Sequence, residues 1–199
     1  SIPCRTALAE AEVEYADHVS QSVFVKFPVI SKEDEDGTHL IIWTTTPWTL
    51  PANLAVAYNS RFTYKKVRVN GEAFIVESTL LPTVAETCGW ENFEEVQSLN
   101  GDEIGALEYR HPFIDKTAKL YAGDNFVENT TGTGFVHVAP GHGMDDYHLG
   151  CTNGLPIYCP VDDDGKFAHT DDLPAAEQMP TTLLGKAILE KKGKSEANE

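Results

Sequence analysis

Two segments of the chain hold residue types that could do chemistry together. The first is Trp43-Thr44-Thr45-Thr46-Pro47-Trp48-Thr49-Leu50-Pro51-Ala52-Asn53. Three consecutive threonines at a strand end, stopped by proline, put hydroxyls on both sides of the chain, where they can meet a sugar, a carbonyl or a water. The plainer reading is a strand edge with threonines chosen for β-propensity, and composition by itself favours it. The second runs Gly132-Thr133-Gly134-Phe135-Val136-His137-Val138-Ala139-Pro140-Gly141-His142-Gly143-Met144-Asp145-Asp146-Tyr147-His148. Its glycines permit tight turns and close backbone approach. Alternation along 135–138 points His137 away from Val136 and Val138. A carboxylate drawn into such a loop needs a partner, and a ligand ammonium group is a natural one.

The same residues admit other chemistry. His137, His142, Asp145, Asp146 and His148 are all possible metal ligands, although their spacing matches no zinc motif and no cysteine joins them. Cys151 or Cys159 could act as a thiol nucleophile beside one of the histidines, but neither sits in a nucleophile motif. Gly132-Thr133-Gly134 is not a dinucleotide or phosphate-loop fingerprint, because the further glycines and the lysine are missing.

The elements that must position these groups are mostly strands. Ser22 to Val29 alternates, with Val23, Val25, Phe27 and Val29 on one face. Further strands are expected at 39–45, 62–69, 72–77, 120–127, 134–138 and 155–161. Asn70-Gly71 reads as a type I′ hairpin turn, and Asn100-Gly101 as another turn. Helices are expected at 80–88, closed by Gly89, at 145–150, and at 182–192, where Leu183, Leu184, Ala187 and Ile188 recur at helical spacing. The sum is a mainly β fold, a barrel-like closed sheet with a few peripheral helices.

The 199 residues suit one domain spanning 1–199, and 41% hydrophobic content allows a real core. The chain starts without Met, and helical periodicity still runs near its end, so the expectation is a fragment of a longer chain. The formal charge of −16 argues against wrapping a nucleic-acid duplex, which usually needs a basic face. The bases cluster only at Arg61, Lys65, Lys66 and Arg68, and at Lys186, Lys191, Lys192 and Lys194; both read as solvated faces. Cysteines at 4, 88, 151 and 159 form no C-x-x-C pair, which suggests reduced thiols and a cytoplasmic location. Asn129-Thr130-Thr131 reads as a turn, not a glycosylated sequon. No apolar run is long enough to span a bilayer.

Taken together, the two segments resemble the editing insertion of class I isoleucyl-tRNA synthetases. The stretch at 44–53 is the more diagnostic: the related leucyl and valyl enzymes carry arginine where this chain has Thr46. The stretch at 132–147 is the second match, and Ala7 to Tyr15 resembles the family's passage from the catalytic core into the insertion. Position 141, often acidic in that family, is glycine here.

The resemblance implies hydrolysis of misacylated tRNA(Ile), releasing valine from Val-tRNA(Ile), with valyl-adenylate as an alternative substrate, through an activated water and without a covalent intermediate. It implies that Asp146 anchors the amino acid's ammonium group and that His137 lies beside its side chain. Thr44, Thr45 and Thr46 would line the pocket for the terminal adenosine and aminoacyl group. Trp48 and Asn53 would belong to the same wall, with Asp145 and Gly134 as neighbouring binding positions. The implied partners are the tRNA(Ile) 3′ end carrying valine and the remainder of the synthetase, with no membrane. The editing function needs no cofactor or metal; ATP and Mg belong to the parent enzyme's synthetic site.

Overall fold

The structure, a computed structural model, describes residues 22–30 and 37–188. The stretch Ala7 to Tyr15, Cys4, the lysines at 191, 192 and 194, and positions 189–192 of the expected helix at 182–192 lie outside the described residues.

Among the described residues, nine strands form one mixed sheet. They are β1 (Val23–Ile30), β2 (Thr38–Thr44), β3 (Ala55–Tyr58), β4 (Tyr64–Val69), β5 (Glu72–Glu77), β6 (Glu94–Leu99), β7 (Glu108–Arg110), β8 (Thr117–Ala122) and β9 (Phe135–Val138). The spatial order is β6-β4-β5-β2-β1-β7-β8-β3-β9. Most neighbours run antiparallel; β2 with β5 and β3 with β8 are parallel. Among the described residues, α-helices form at α1 (Leu81–Thr87), α2 (Gly101–Gly105) and α3 (Met144–Thr152).

Alternation builds two layers from single strands. Leu40 and Ile42 of β2 enter the main core with Phe27, Tyr64, Ile75, Tyr109 and Phe135. Ile41, between them, faces the other way and packs with Val67, Phe74 and Val76 under Leu81 and Val84 of α1. The hairpin β4–β5 turns at Asn70 and Gly71, with φ of 51° and 91°, and pairs Val69 with Glu72. Both positive angles are what a type I′ turn requires. α1 closes at Gly89 with φ of 68°. At its start the Glu77 carboxylate accepts from the Thr79 and Leu80 N–H groups at 2.8 and 3.0 Å.

Several expectations change. The sheet is open, not a closed barrel: β6 and β9 are its two edges. β9 has four residues, hemmed by Gly134 at φ of 82° and Pro140, and it packs beside β2 without joining β6. β6 lies beyond β4 with the side chains of 94–98 in solvent. No strand forms over 155–161; Pro156 and Pro160 remove ladder donors, and only Val161 makes a bridge, to Phe167. The 182–188 stretch is no α-helix. A single 3-10 turn at Thr181–Leu183 gives way to Gly185 at φ of 77°, and Ala187 then bridges to Lys166. Asn100-Gly101 opens α2 instead of making a bare turn, because Asn100 and Glu103 form a reciprocal capping box. β8 stops at Ala122, where Gly123 starts a turn that takes up Phe126 and Val127.

Candidate functional site

The threonine run leaves β2 through its own hydroxyls. Thr44 is buried, and its Oγ1 accepts the Thr46 N–H at 3.1 Å, drawing the chain out of the strand direction. The Thr44 and Thr46 hydroxyls lie 3.5 Å apart. Thr45 and Thr46 are exposed. Pro47 then begins a 3-10 turn, Pro47–Ala52. Inside it sits Thr49, buried and not singled out by the sequence reading. Its hydroxyl donates to the Thr46 carbonyl at 2.9 Å and meets His137 Nε2 at 2.9 Å.

That pair of contacts assigns the histidine's tautomer. A carbonyl only accepts, so the single Thr49 hydroxyl proton goes to Thr46, and Nε2–H of His137 donates to the Thr49 oxygen. Nδ1 of His137 keeps its lone pair; it is buried and has no hydrogen-bond partner. Burial, with the neighbouring His142, pushes the His137 pKa down to about 4, so the ring is neutral near pH 7.

Packing from below holds His137 in place. The Glu77 N–H donates to the Thr133 carbonyl at 2.9 Å, and the Tyr64 hydroxyl donates to the Gly134 carbonyl at 2.9 Å. A Cβ at Gly134 would overlap the Glu77 side chain, so only glycine lets the loop close this tightly over β5. Phe135 stacks on Tyr64 with ring centroids 4.7 Å apart. β9 pairs with β3, His137 opposite Val56. Val136 and Val138, on the opposite face, pack with Ala55 and Ala57 and seat Leu149 of α3.

α3 supplies the carboxylate. Asp145 and Asp146 occupy its first turn, where the helix dipole favours negative charge. The Asp146 side chain folds back over Gly143, where any Cβ would collide with it. Burial pushes its pKa up to about 6, and Asp145 adds to the rise; the Ala139 N–H and its own N–H pull the other way. No cation enters that balance. The same loop presents His142, whose ring meets Trp48 edge-on at 5.2 Å and whose Nε2 is buried without a partner. Burial lowers the His142 pKa as well.

The structure therefore brings together Thr44, Thr46, Thr49 and His137, joins Trp48 to His142, and sets Asp146 on the His142 loop. It places three other positions differently. Asn53 is fully buried; its Oδ1 accepts from the Tyr109 hydroxyl at 2.6 Å and its Nδ2 donates to the Ala55 carbonyl at 2.8 Å. It is a strut beneath the turn. Gly134 acts through its backbone and its lack of a side chain. Asp145 is exposed and lines a separate groove of about 320 Å³ with Asn125 and His148. Among the described residues no three His, Cys, Asp or Glu side chains converge as a metal site would need. Cys88, Cys151 and Cys159 are unpaired, and Cys151 is exposed on α3 beside Tyr147. The first basic cluster pairs with the chain's own acids: Lys65 with Glu95, Arg68 with Glu94, and Arg61 with Asp124. Among the described residues no helix is long and apolar enough to cross a membrane.

No protein-family model matches the chain. Isoleucine–tRNA ligase of Bacillus cereus (strain AH187) is 45% identical over 188 residues, 94% of this chain and 20% of that protein. Isoleucine–tRNA ligase 1 of Bacillus thuringiensis subsp. konkukian (strain 97-27) matches at the same identity and coverage. The chain thus spans about one fifth of the length of these relatives. Among solved structures, that of GlLeuRS-CP1 superposes with a TM-score of 0.59 over 71% of each chain at 14% identity. The P. knowlesi cytosolic leucyl-tRNA synthetase editing domain gives 0.52 over 63% of this chain and 59% of that one, also at 14% identity. At that identity the two structures share the fold.

Proposed function

We propose, from the premise that the chain belongs to the isoleucine–tRNA ligase family and matches one fifth of its relatives' length, that it carries a hydrolytic editing site. Its substrate is valine esterified to the 3′ end of tRNA(Ile). The need follows from magnitude. One methylene in an apolar pocket is worth about 1–3 kcal/mol, a figure for which isoleucyl enzymes are themselves a standard illustration. A second, hydrolytic sieve multiplies that discrimination.

The observation that carries the reading is Asp146: a half-buried carboxylate, its pKa raised to about 6, with no cation beside it among the described residues. An α-ammonium group supplies that missing charge through a charge-assisted hydrogen bond. Neutral His137 lies beside the aliphatic side chain without adding a competing positive charge. The Thr44 and Thr46 hydroxyls orient the ester and a water, and the ester is activated enough that positioning drives hydrolysis. A ribose hydroxyl of the terminal adenosine relays the proton. At a net charge of −16 the module touches few phosphates, so the rest of the synthetase holds the tRNA.

The test is deacylation by the full synthetase carrying this segment, with Val-tRNA(Ile) and Ile-tRNA(Ile) compared. Valine should be released and isoleucine retained, and Asp146→Ala should abolish release. Near-normal turnover in that variant removes the anchor and with it the proposed site.

A further inference from the structure

Lys116 is the most conspicuous charged group left outside this site. It follows Asp115 in the turn between β7 and β8, where its backbone N–H and carbonyl bond to Ile114 and His111. The residue is only 9% exposed, and its Nζ is buried with no hydrogen-bond partner. Burial pushes the amine down to about 8, against a pull upward from the Glu177 carboxylate. A buried ammonium without a hydrogen-bond acceptor is costly to keep, and chains of this size seldom keep one idle.

The side chain lines a pocket of about 250 Å³. Leu54, Leu155, Pro156 and Leu173 make apolar walls, and Glu177 adds a carboxylate. Lys119 also contributes, although its amine lies 4.0 Å from Glu108. None of these residues belongs to the threonine turn, the His137 strand or the Asp146 helix turn. The volume is below the usual range for drug-sized ligands. A phosphate dianion fits poorly, because Glu177 repels it and the leucines give it nothing.

We propose that this pocket binds a small aliphatic α-amino acid as its zwitterion. The Lys116 amine, shielded from water in the protein alone, turns toward the ligand carboxylate and donates to it, the α-ammonium faces Glu177, and the aliphatic side chain packs on Leu54, Leu155 and Leu173. Each charge in the pocket then meets its opposite, and the orphaned amine gains an acceptor.

Calorimetric titration of the chain with L-valine tests this. An Asp146→Asn background removes any binding through the editing anchor. The expected result is saturable one-site binding in that background, weakened at least tenfold by Lys116→Met and also weakened by Glu177→Gln. Leu155→Trp, which fills the pocket without touching either charge, should abolish binding if Lys116→Met fails to fold. 3-Methylbutanoate and 2-methylpropylamine, each lacking one charge, should bind more weakly than valine. Absence of saturable binding overturns the proposal, as does valine binding indifferent to Lys116 and Leu155. Binding that disappears with Asp146→Asn assigns the ligand to the editing site and overturns it too. Deacylation by Lys116→Met, measured in parallel, reports on the editing reading separately.

Discussion

Replacing Asp146 by Asn should make the protein more stable while destroying its proposed activity. The folded-state pKa of Asp146 is about 6 against an ordinary 3.8, so folding disfavours the charged form. About two pKa units at roughly 1.4 kcal/mol each set a ceiling near 3 kcal/mol. The side chain keeps some contact with water, so about 1–2 kcal/mol is the realistic yield. Asn matches the shape and still accepts from the Ala139 N–H. The sign of the pH dependence is fixed by linkage. Below about pH 3.8 the aspartate is protonated in both folded and unfolded chains, and the variant gains nothing. Between about 3.8 and 6 the gain grows, and above about 6 it is complete. Thermal melts of both proteins at about pH 8 and about pH 3 read this directly, with a Tm rise of roughly 2–8 °C expected only at the higher pH. An unchanged or lower Tm at pH 8, or an equal gain at both values, would refute the reasoning that an unpaired charge is held here in wait for a cation. In the same protein, valine release should be lost.

Other consequences follow from named contacts. Thr49→Val removes the hydroxyl that joins Thr46 to His137; stability should fall by about 1–2 kcal/mol, and deacylation should fall further than with Thr45→Val, as a paired kinetic assay would show. Asn53→Ala leaves the buried Tyr109 hydroxyl without its acceptor; urea unfolding should show a loss of about 2–3 kcal/mol, with site geometry affected only through the turn. Gly134→Ala combines a left-handed backbone with overlap on Glu77; a cost of about 2–4 kcal/mol is expected from strain and overpacking together, seen as a lower Tm at every pH. The imidazole resonances of His137 should stay flat between about pH 6 and 8, because burial holds its pKa near 4; the acid limb of the rate profile then belongs to Asp146, and a His137 titration near 6.5 would contradict the burial that keeps the ring neutral.

Much of this molecule is written in local pattern. Alternation marked β1, and a short apolar run of β-forming residues marked β2, since both patterns are local. Asn70-Gly71 specified its turn because few other pairs adopt two positive φ angles. The two motif segments carried the family and pointed to Asp146, His137 and Thr44, since each depends on side-chain type at fixed spacing. Tertiary contacts decided the rest. The sheet is open, with β6 and β9 as its edges, and strand count alone could not reveal that. Prolines at 156 and 160 outweighed the β-rich composition of their segment, and the bridge from Ala187 to Lys166 overrode helical spacing after 182. Asn53 turned from ligand wall to strut because Tyr109, 56 residues away, claims its amide. Thr49 lay hidden among the four threonines of 44–49 until His137, 88 residues on, came within 2.9 Å. Residue types and spacing fix which groups are available; only the folded backbone fixes which of them lose water and which find partners. Those two losses and gains set the charge on Asp146 and the proton on His137.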